Sequence, residues 1–219
     1  MVSCQALKGE PLYGSKIMGK LALAAQQGGA NGIRANSKED IFEIKRNVDL
    51  PIIGIVKKDY EDSEVYITPT MKEIEELLST NCEMIALDAT DRTRPNKETL
   101  EILLRQIKAK NSNVLLMADI STVSEAMEAE RLGFNCISTT LMGYTDTSKN
   151  YNVTTNDFYY LTEILKNVTV PVIAEGHLST PKLAKKALEK GAYSVVVGSA
   201  ITRPKLITET FVNTIKKLS

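Results

Sequence analysis

Short apolar runs alternate with helix-like patterns along the whole chain. Eight of these runs have the length of a strand: residues 2–4, 32–34, 51–56, 84–88, 114–119, 136–139, 170–175 and 194–198. Several are continuously apolar rather than alternating, which is typical of parallel strands that are covered on both faces. The pattern therefore predicts a parallel sheet with helices packed against it.

The segments between these runs predict amphipathic helices. Apolar residues follow the spacing i, i+3, i+4 and i+7 in residues 100–107, which gives one apolar stripe. Thr122 and Glu125 have the spacing of a capping box, and Thr180 places a cap residue before Pro181 at the first helical position. These signals predict where two of the helices begin.

Eight strands that alternate with helices predict an α/β fold, a single (β/α)8 TIM barrel with a parallel eight-stranded core. The barrel would occupy residues 1–219 as one catalytic domain, since no linker divides the chain. A doubly wound open sheet is the alternative, although no G-x-G-x-x-G turn follows the first strand. Because the sequence starts in that strand, we expect the short element that often closes the barrel bottom to be missing or trimmed.

Composition and charge exclude several other classes of protein. The 27 basic and 27 acidic side chains balance and form no basic block, so we expect no nucleic-acid partner. No apolar run reaches the roughly 20 residues of a membrane helix, so we expect no membrane partner. The N-terminus lacks the features of a secretory signal, which predicts a cytoplasmic protein.

Cysteine and histidine usage argues against a metal or redox centre. The widely spaced Cys4, Cys82 and Cys136 are predicted to be reduced core residues. His177 is the single histidine of the sequence and cannot supply a multi-histidine metal cluster. We therefore expect neither a metal nor a cofactor.

In a (β/α)8 barrel, chemistry is built at the carboxyl ends of the strands and in the loops that follow. Polar residues occupy nearly all of these positions here: Gln5, Arg34, Lys57 with Lys58, Asp88, Asp119, Thr139 with Thr140, Glu175 with His177, and Ser199. Because they surround one mouth of the barrel, they predict a site for a small polar molecule.

The loops after the last two strands indicate an anion site. Gly176 and Gly198 permit close approach of the backbone, and Ser199 adds a hydroxyl. Loops at these positions often bind phosphate through backbone N–H groups and the start of a short helix. Arg203 could add a charge-assisted contact. The alternative is that the two glycines only shape turns.

A lysine and two carboxylates are the other candidates. A lysine desolvated near other cations can lose its proton and act as a base or Schiff-base nucleophile. Only one of Lys57 and Lys58 points inward, and the periodicity does not say which. Asp119 and Glu175 end apolar strands, where each could serve chemistry or form an ion pair with Arg34.

The sequence lacks the residues that two related kinds of barrel enzyme need for their chemistry. Pentose-phosphate 3-epimerase barrels hold a metal with two histidines and two carboxylates, which a single histidine excludes. Barrels of the orotidine-phosphate decarboxylase kind carry an Asp-x-Lys-x-x-Asp run, whereas the nearest segment, residues 88–91, contains no lysine.

Longer strings of sequence carry a resemblance to a known family. They lie at residues 2–6, 28–35, 50–57, 66–70, 85–90, 117–121, 138–141, 174–176 and 197–204. Together they resemble the N-acylglucosamine-6-phosphate 2-epimerase family, also called the N-acetylmannosamine-6-phosphate 2-epimerase family. The chain departs from the family pattern at Ser199, where a second glycine is common.

The resemblance implies that N-acetylmannosamine 6-phosphate and N-acetylglucosamine 6-phosphate are interconverted at carbon 2, in sialic acid breakdown. It implies Lys57 as the catalytic lysine, Glu175 as its acidic partner, and a homodimer. The predicted substrate-binding residues are Gln5, Arg34, Asp119, Thr139 and Arg203. Phosphate is predicted to bind at Gly176, Gly198 and Ser199.

The hypothetical mechanism starts from the open sugar, in which carbon 2 lies next to the aldehyde. Glu175 would help to open the ring, and neutral Lys57 would remove the proton as general base. Arg34 would stabilise the developing oxyanion, while Asp119 orients the sugar. Lys57 could return the proton itself, or a second group could act from the opposite face.

Two other functions fit the same residues. Another sugar-phosphate isomerase or an aldolase would use Lys57 as a Schiff-base nucleophile, which borohydride would trap in the presence of substrate. A non-catalytic sensor of sugar phosphates would keep the pocket and form no product.

Overall fold

Eight parallel strands form one sheet in sequence order in the computed structural model, which describes residues 1–216. The strands β1 to β8 span Val2–Cys4, Ile33–Asn36, Ile52–Ile55, Met84–Asp88, Leu115–Asp119, Cys136–Ser138, Val172–Glu175 and Ser194–Val196. The sheet closes on itself because Val2 forms a parallel bridge with Val197. The predicted (β/α)8 barrel is therefore confirmed, and the open sheet is excluded.

Helices alternate with the strands on the outside of the barrel. The helices α1 to α9 span Ser15–Gln27, Lys38–Asn47, Met71–Leu78, Leu100–Lys110, Val123–Arg131, Thr155–Asn167, Pro181–Glu189, Ser199–Thr202 and Pro204–Ile215. A 3-10 turn, Pro95–Lys97, precedes α4. Within residues 1–216, none of the helices is long and apolar enough to cross a bilayer.

In two of the predicted strands, a proline near the start of the apolar run lies outside the ladder. Pro51 lies before β3 and Pro171 before β7, because proline has no N–H to donate to the ladder of a parallel sheet. β2 instead continues beyond its predicted end, since Asn36 pairs with Ile55 of β3. That extension carries the Asn36 side chain to the rim of the barrel.

Side chains alternate between two apolar layers. Ile53 and Ile55 of β3 pack inside the barrel with inward residues of other strands, including Ala86, Met117, Cys136, Ile173 and Val196. Their neighbour Ile52 instead packs against the helices. Because the alternation has a period of two, it also fixes which residues at the strand ends point into the mouth.

The predicted capping box at the start of α5 is present and fastens the rim. Thr122 accepts from the Glu125 N–H, and the Glu125 carboxylate accepts from the N–H groups of Ser121 at 2.7 Å and Thr122 at 2.9 Å. The same carboxylate accepts from the Asp91 N–H at 3.1 Å. Glu125 thereby joins the loops that follow β4 and β5.

The three cysteines are free, as predicted for reduced residues. Cys4 and Cys136 are buried, and burial raises the pKa of each thiol to about 12. Cys82 is partly buried beside Gly54. These thiols therefore pack as small apolar side chains.

Replacing the Glu125 carboxylate is expected to destabilise the fold. Glu125→Ala leaves three rim N–H groups without an acceptor, so it should lower the free energy of unfolding by about 2–4 kcal/mol in urea denaturation. Glu128→Ala is the matched control, because the Glu128 side chain is 46% exposed and pairs with Arg131 on the same helix. Equal small losses in the two variants would contradict the proposed stabilising role.

Candidate active site

Lys57 points into the mouth of the barrel. Ile53 and Ile55 face the interior, and the same alternation directs Lys57 inward and Lys58 outward. Lys57 is partly buried and lines the central cavity, whereas Lys58 is exposed. The structure thus selects between the two lysines that the sequence left open.

The backbone around Lys57 is held from two sides. Its N–H donates to the side-chain oxygen of Asn36, at the end of β2, at 2.7 Å. Lys57 also forms an antiparallel bridge with Ile67, because the chain after β3 folds back as a short hairpin. The Thr68 N–H closes this hairpin on the Val56 carbonyl at 2.7 Å. The lysine therefore extends from a fixed segment rather than from a free loop.

A buried arginine joins two carboxylates at the centre of the mouth. The Arg34 guanidinium donates to both oxygens of Asp119, at 3.0 Å and 2.5 Å. It also donates to Oε2 of Glu175 at 3.0 Å. Arg34 and Asp119 are almost fully buried, with 1% and 0% of their side chains exposed. The ion pairs that the sequence suggested are thus present, and they fix the position of Glu175.

Two hydroxyls from the end of β6 complete this cluster. Thr140 donates to Asp119 at 2.6 Å, and Ser138 lies 2.8 Å from the Thr140 oxygen. Thr139 points the other way: its hydroxyl donates to the Glu175 carbonyl at 2.8 Å and accepts from the Glu175 N–H at 3.0 Å. Thr140, rather than Thr139, therefore lines the cavity.

The surroundings shift the proton affinities of Lys57 and Glu175 toward each other. Burial lowers the pKa of the Lys57 ammonium, and the charges of Arg34 and Arg203 lower it further. Burial raises the pKa of the Glu175 carboxyl, although Arg34 opposes this effect. The two groups can therefore exchange protons more readily than an exposed lysine and glutamate can.

A cavity of about 650 Å³ opens at this end of the barrel. Eight of the ten residues predicted to be catalytic or to bind substrate or phosphate line it: Gln5, Arg34, Lys57, Glu175, Gly176, Gly198, Ser199 and Arg203. Asp119 and Thr139 lie behind its wall, bonded to Arg34 and to the Glu175 backbone. The cavity volume is sufficient for a small polar ligand.

Gln5 presents an unused acceptor in the cavity wall. Its amide nitrogen donates to the Ser3 hydroxyl at 2.7 Å. Its carbonyl oxygen is buried without a hydrogen-bond partner among residues 1–216. Because an unpaired buried acceptor is unfavourable, this oxygen is available for a hydroxyl or amide N–H of a ligand.

The other end of the cavity is suited to an anion. The short helix α8 begins at Ser199, directly after Gly198, so its first N–H groups lack intrahelical partners. Arg203 follows this helix, and its guanidinium lies 3.4 Å from the Glu10 carboxylate. Gly176 adopts a φ of 88°, which favours glycine and turns the backbone after β7 toward the cavity.

Several side chains of the site were missed from the sequence. Ser138 has the same inward parity as Cys136, so strand alternation could have identified it and could also have separated the inward Thr140 from Thr139. Tyr66 lines the cavity, and Glu10 pairs with the lining residue Arg203. Both lie in loops, so strand alternation gives no signal for them. Among the described residues, no group of three or more histidine, cysteine or acidic side chains is arranged to hold a metal ion.

Comparison with known proteins assigns the family. The profile of the NanE family, described as "Putative N-acetylmannosamine-6-phosphate epimerase", matches residues 18–217. A relative from Oceanobacillus iheyensis named "Putative N-acetylmannosamine-6-phosphate 2-epimerase" is 58% identical over 97% of this chain and 96% of its own. A relative of the same name from Clostridium perfringens strain SM101 is 59% identical over 99% and 96%.

Solved structures agree with this assignment. The N-acetylmannosamine-6-phosphate 2-epimerase from Clostridium perfringens superimposes with a TM-score of 0.90 at 58% identity, covering 97% of this chain and 91% of that chain. Thiamine phosphate pyrophosphorylase from Pyrococcus furiosus shares only the fold, with a TM-score of 0.61 at 17% identity over 93% and 86% of the two chains. This chain belongs to the NanE family of N-acetylmannosamine-6-phosphate epimerases.

Proposed function

We propose that this chain interconverts N-acetylmannosamine 6-phosphate and N-acetylglucosamine 6-phosphate by moving the proton at carbon 2. The observation that carries the proposal is a single cavity that contains Lys57, the Arg34–Glu175 pair and an anion-binding end. Relatives that share 58–59% of the sequence over nearly the whole chain carry the name of this activity. Sialic acid catabolism is the metabolic role that we propose for it.

Glu175 is suited to opening the sugar ring. Its carboxyl lies at the end of β7, is held by Arg34, and has a pKa raised by burial. A carboxyl of this kind can accept the proton of the anomeric hydroxyl and deliver one to the ring oxygen. The bond between carbon 1 and the ring oxygen then breaks, which leaves an aldehyde next to carbon 2.

Lys57 is suited to the transfer at carbon 2. The neutral amine takes the proton, the electron pair of the C–H bond forms a double bond between carbons 1 and 2, and the carbonyl π pair moves onto the oxygen to give an enolate. Return of a proton to the opposite face of carbon 2 inverts its configuration. The lowered pKa of Lys57 supplies the neutral form that this step needs.

The remaining charges support this anion and hold the substrate. The Arg34 guanidinium, fixed by Asp119, can donate to the oxygen on which negative charge develops. At the other end, Arg203 and the N–H groups at the start of α8 can bind the 6-phosphate. Because the phosphate is remote from carbon 2, its binding energy positions the reacting atoms.

We also propose one catalytic domain over residues 1–219, a cytoplasmic location and a homodimer. The last helix supports the dimer. Within residues 1–216, α9 contributes no buried side chain, and Val212 and Ile215 are 39% and 63% exposed. An apolar surface of this kind is typical of an interface between subunits.

Lys57→Ala should lower kcat by about a thousandfold or more, because the base is lost. Turnover is followed by NMR with N-acetylmannosamine 6-phosphate, and binding of the product is measured by calorimetry. Binding should remain, since the anion end is unchanged. Lys58→Ala is the control, because that side chain is exposed and lies outside the cavity. Near-normal turnover of Lys57→Ala would exclude Lys57 as the base.

The pH profile should report the proton on Lys57. Since only the neutral amine can act as base, kcat/KM should rise with pH. The midpoint of this rise should lie below 10.5, the ordinary pKa of a lysine side chain. Arg203→Gln removes a charge that lowers this pKa, so its midpoint should move to higher pH. The Lys58→Ala midpoint should match the wild type. If the midpoint of Arg203→Gln equals that of the wild type, the rise of kcat/KM with pH reports a group other than Lys57.

Sedimentation velocity tests the dimer. The wild type should sediment as a dimer, and a Val212→Glu/Ile215→Glu variant should shift toward monomer because it places charges on the apolar face of α9. Met127→Glu is the control, since Met127 is exposed on α5. A monomeric wild type would refute the homodimer and leave the proposed activity standing.

A further inference from the structure

Two aromatic rings from different loops stack over the mouth of the cavity. Tyr144 lies in the loop after β6 and His177 in the loop after β7. Their ring centroids are 4.7 Å apart, and the ring planes differ by 20°. Both residues line the cavity. None of the steps proposed above uses either ring.

The backbone is built to bring these two rings together. Gly176 and His177 both have positive φ, 88° and 54°, which turns the loop after β7 sharply. Positive φ is uncommon for residues other than glycine, although histidine adopts it more readily than most. Gly143, with φ of 92°, has no room for a side chain, because a Cβ there would lie 2.9 Å from His177 Nε2. The two loops are therefore in close contact.

Tyr144 lies between the two ends of the cavity. A Cβ built on Gly176 would be 3.6 Å from a ring carbon of Tyr144, so the ring covers the turn after β7. Burial raises the pKa of the Tyr144 phenol, and the charges of Glu175 and Arg203 act on it in opposite directions. The phenol thus lies within electrostatic range of both the reacting end and the anion end.

We propose that Tyr144, held by stacking on His177, forms an aromatic cover under which the carbon chain of the bound sugar phosphate lies. This inference rests on the proposed function, which places carbon 2 near Glu175 and the phosphate near Arg203. The ring face packs against the C–H groups between these two ends. By excluding water from that region, the cover also protects the anion formed at carbon 2 from exchange with solvent.

The cover is tested with three variants and one control. Tyr144→Phe keeps the ring and should retain wild-type kinetics within about twofold. Tyr144→Ala removes the ring and should raise KM for N-acetylmannosamine 6-phosphate about tenfold. His177→Asn tolerates positive φ but loses the stacking, so KM should rise about threefold. Tyr193→Ala is the control, because Tyr193 is 76% exposed and outside the cavity.

A second measurement separates the cover from a merely structural role. In deuterium oxide, Tyr144→Ala should return substrate that carries more deuterium at carbon 2 per turnover than the wild type does. Water reaches the intermediate more easily when the ring is absent. Unfolding midpoints of all variants are measured in parallel, and a change in deuterium content at an unchanged midpoint supports the cover.

Binding measurements distinguish failure of the cover from failure of the proposed function. Calorimetry with N-acetylglucosamine 6-phosphate compares Lys57→Ala with Lys57→Ala/Tyr144→Ala, neither of which is expected to turn over. A Kd that weakens about tenfold supports the cover. Equal Kd values, together with wild-type kinetics and deuterium content in Tyr144→Ala, overturn the cover while the activity stands. A wild type that neither binds nor converts the sugar phosphates overturns both.

Discussion

The buried Arg34–Asp119–Glu175 cluster is the interaction on which the site depends. Strands β2, β5 and β7 each supply one of its charges, so the cluster ties together distant parts of the barrel wall. Two carboxylates face one guanidinium at hydrogen-bond distance, and the hydroxyl of Thr140 adds a further donor to Asp119. Removing the Arg34 guanidinium would leave two buried carboxylates facing each other without a cation, which is unfavourable. The same contacts that hold the rim together therefore also hold Glu175 and Arg34 in place for chemistry.

Strand alternation determines which strand-end residues face the cavity. It also explains how much of the site could be predicted from the sequence. The continuous apolar runs predicted the barrel, and the rule for strand ends predicted Arg34 and Glu175 as cavity residues. The choice between Lys57 and Lys58 needed the register, which the inward Ile53 and Ile55 provide. Thr139 was predicted to bind substrate from its place at a strand end, whereas the period of two directs its neighbour Thr140 into the cavity.

Other parts of the site could not be predicted, because they depend on contacts between loops. Nothing in the residues around Glu10 indicates that its carboxylate lies 3.4 Å from Arg203, since the two are far apart in sequence. Likewise, the sequence around Gly143 indicates only a turn, and the close approach of His177 to this glycine is seen only in the structure. Local patterns specify strands, caps and turns, whereas loop-to-loop packing is decided by the assembled barrel.

The charges at the two ends of the cavity affect the pKa of Lys57 differently once substrate is bound. Burial and the charges of Arg34 and Arg203 all lower the pKa of Lys57. A bound phosphate has the opposite sign to Arg203, so it would offset that contribution and favour the protonated amine. Burial and Arg34 must then keep the lysine neutral once substrate is bound. The aromatic rings at the mouth would keep water away from Lys57 while substrate is bound, which favours the neutral amine that proton abstraction needs.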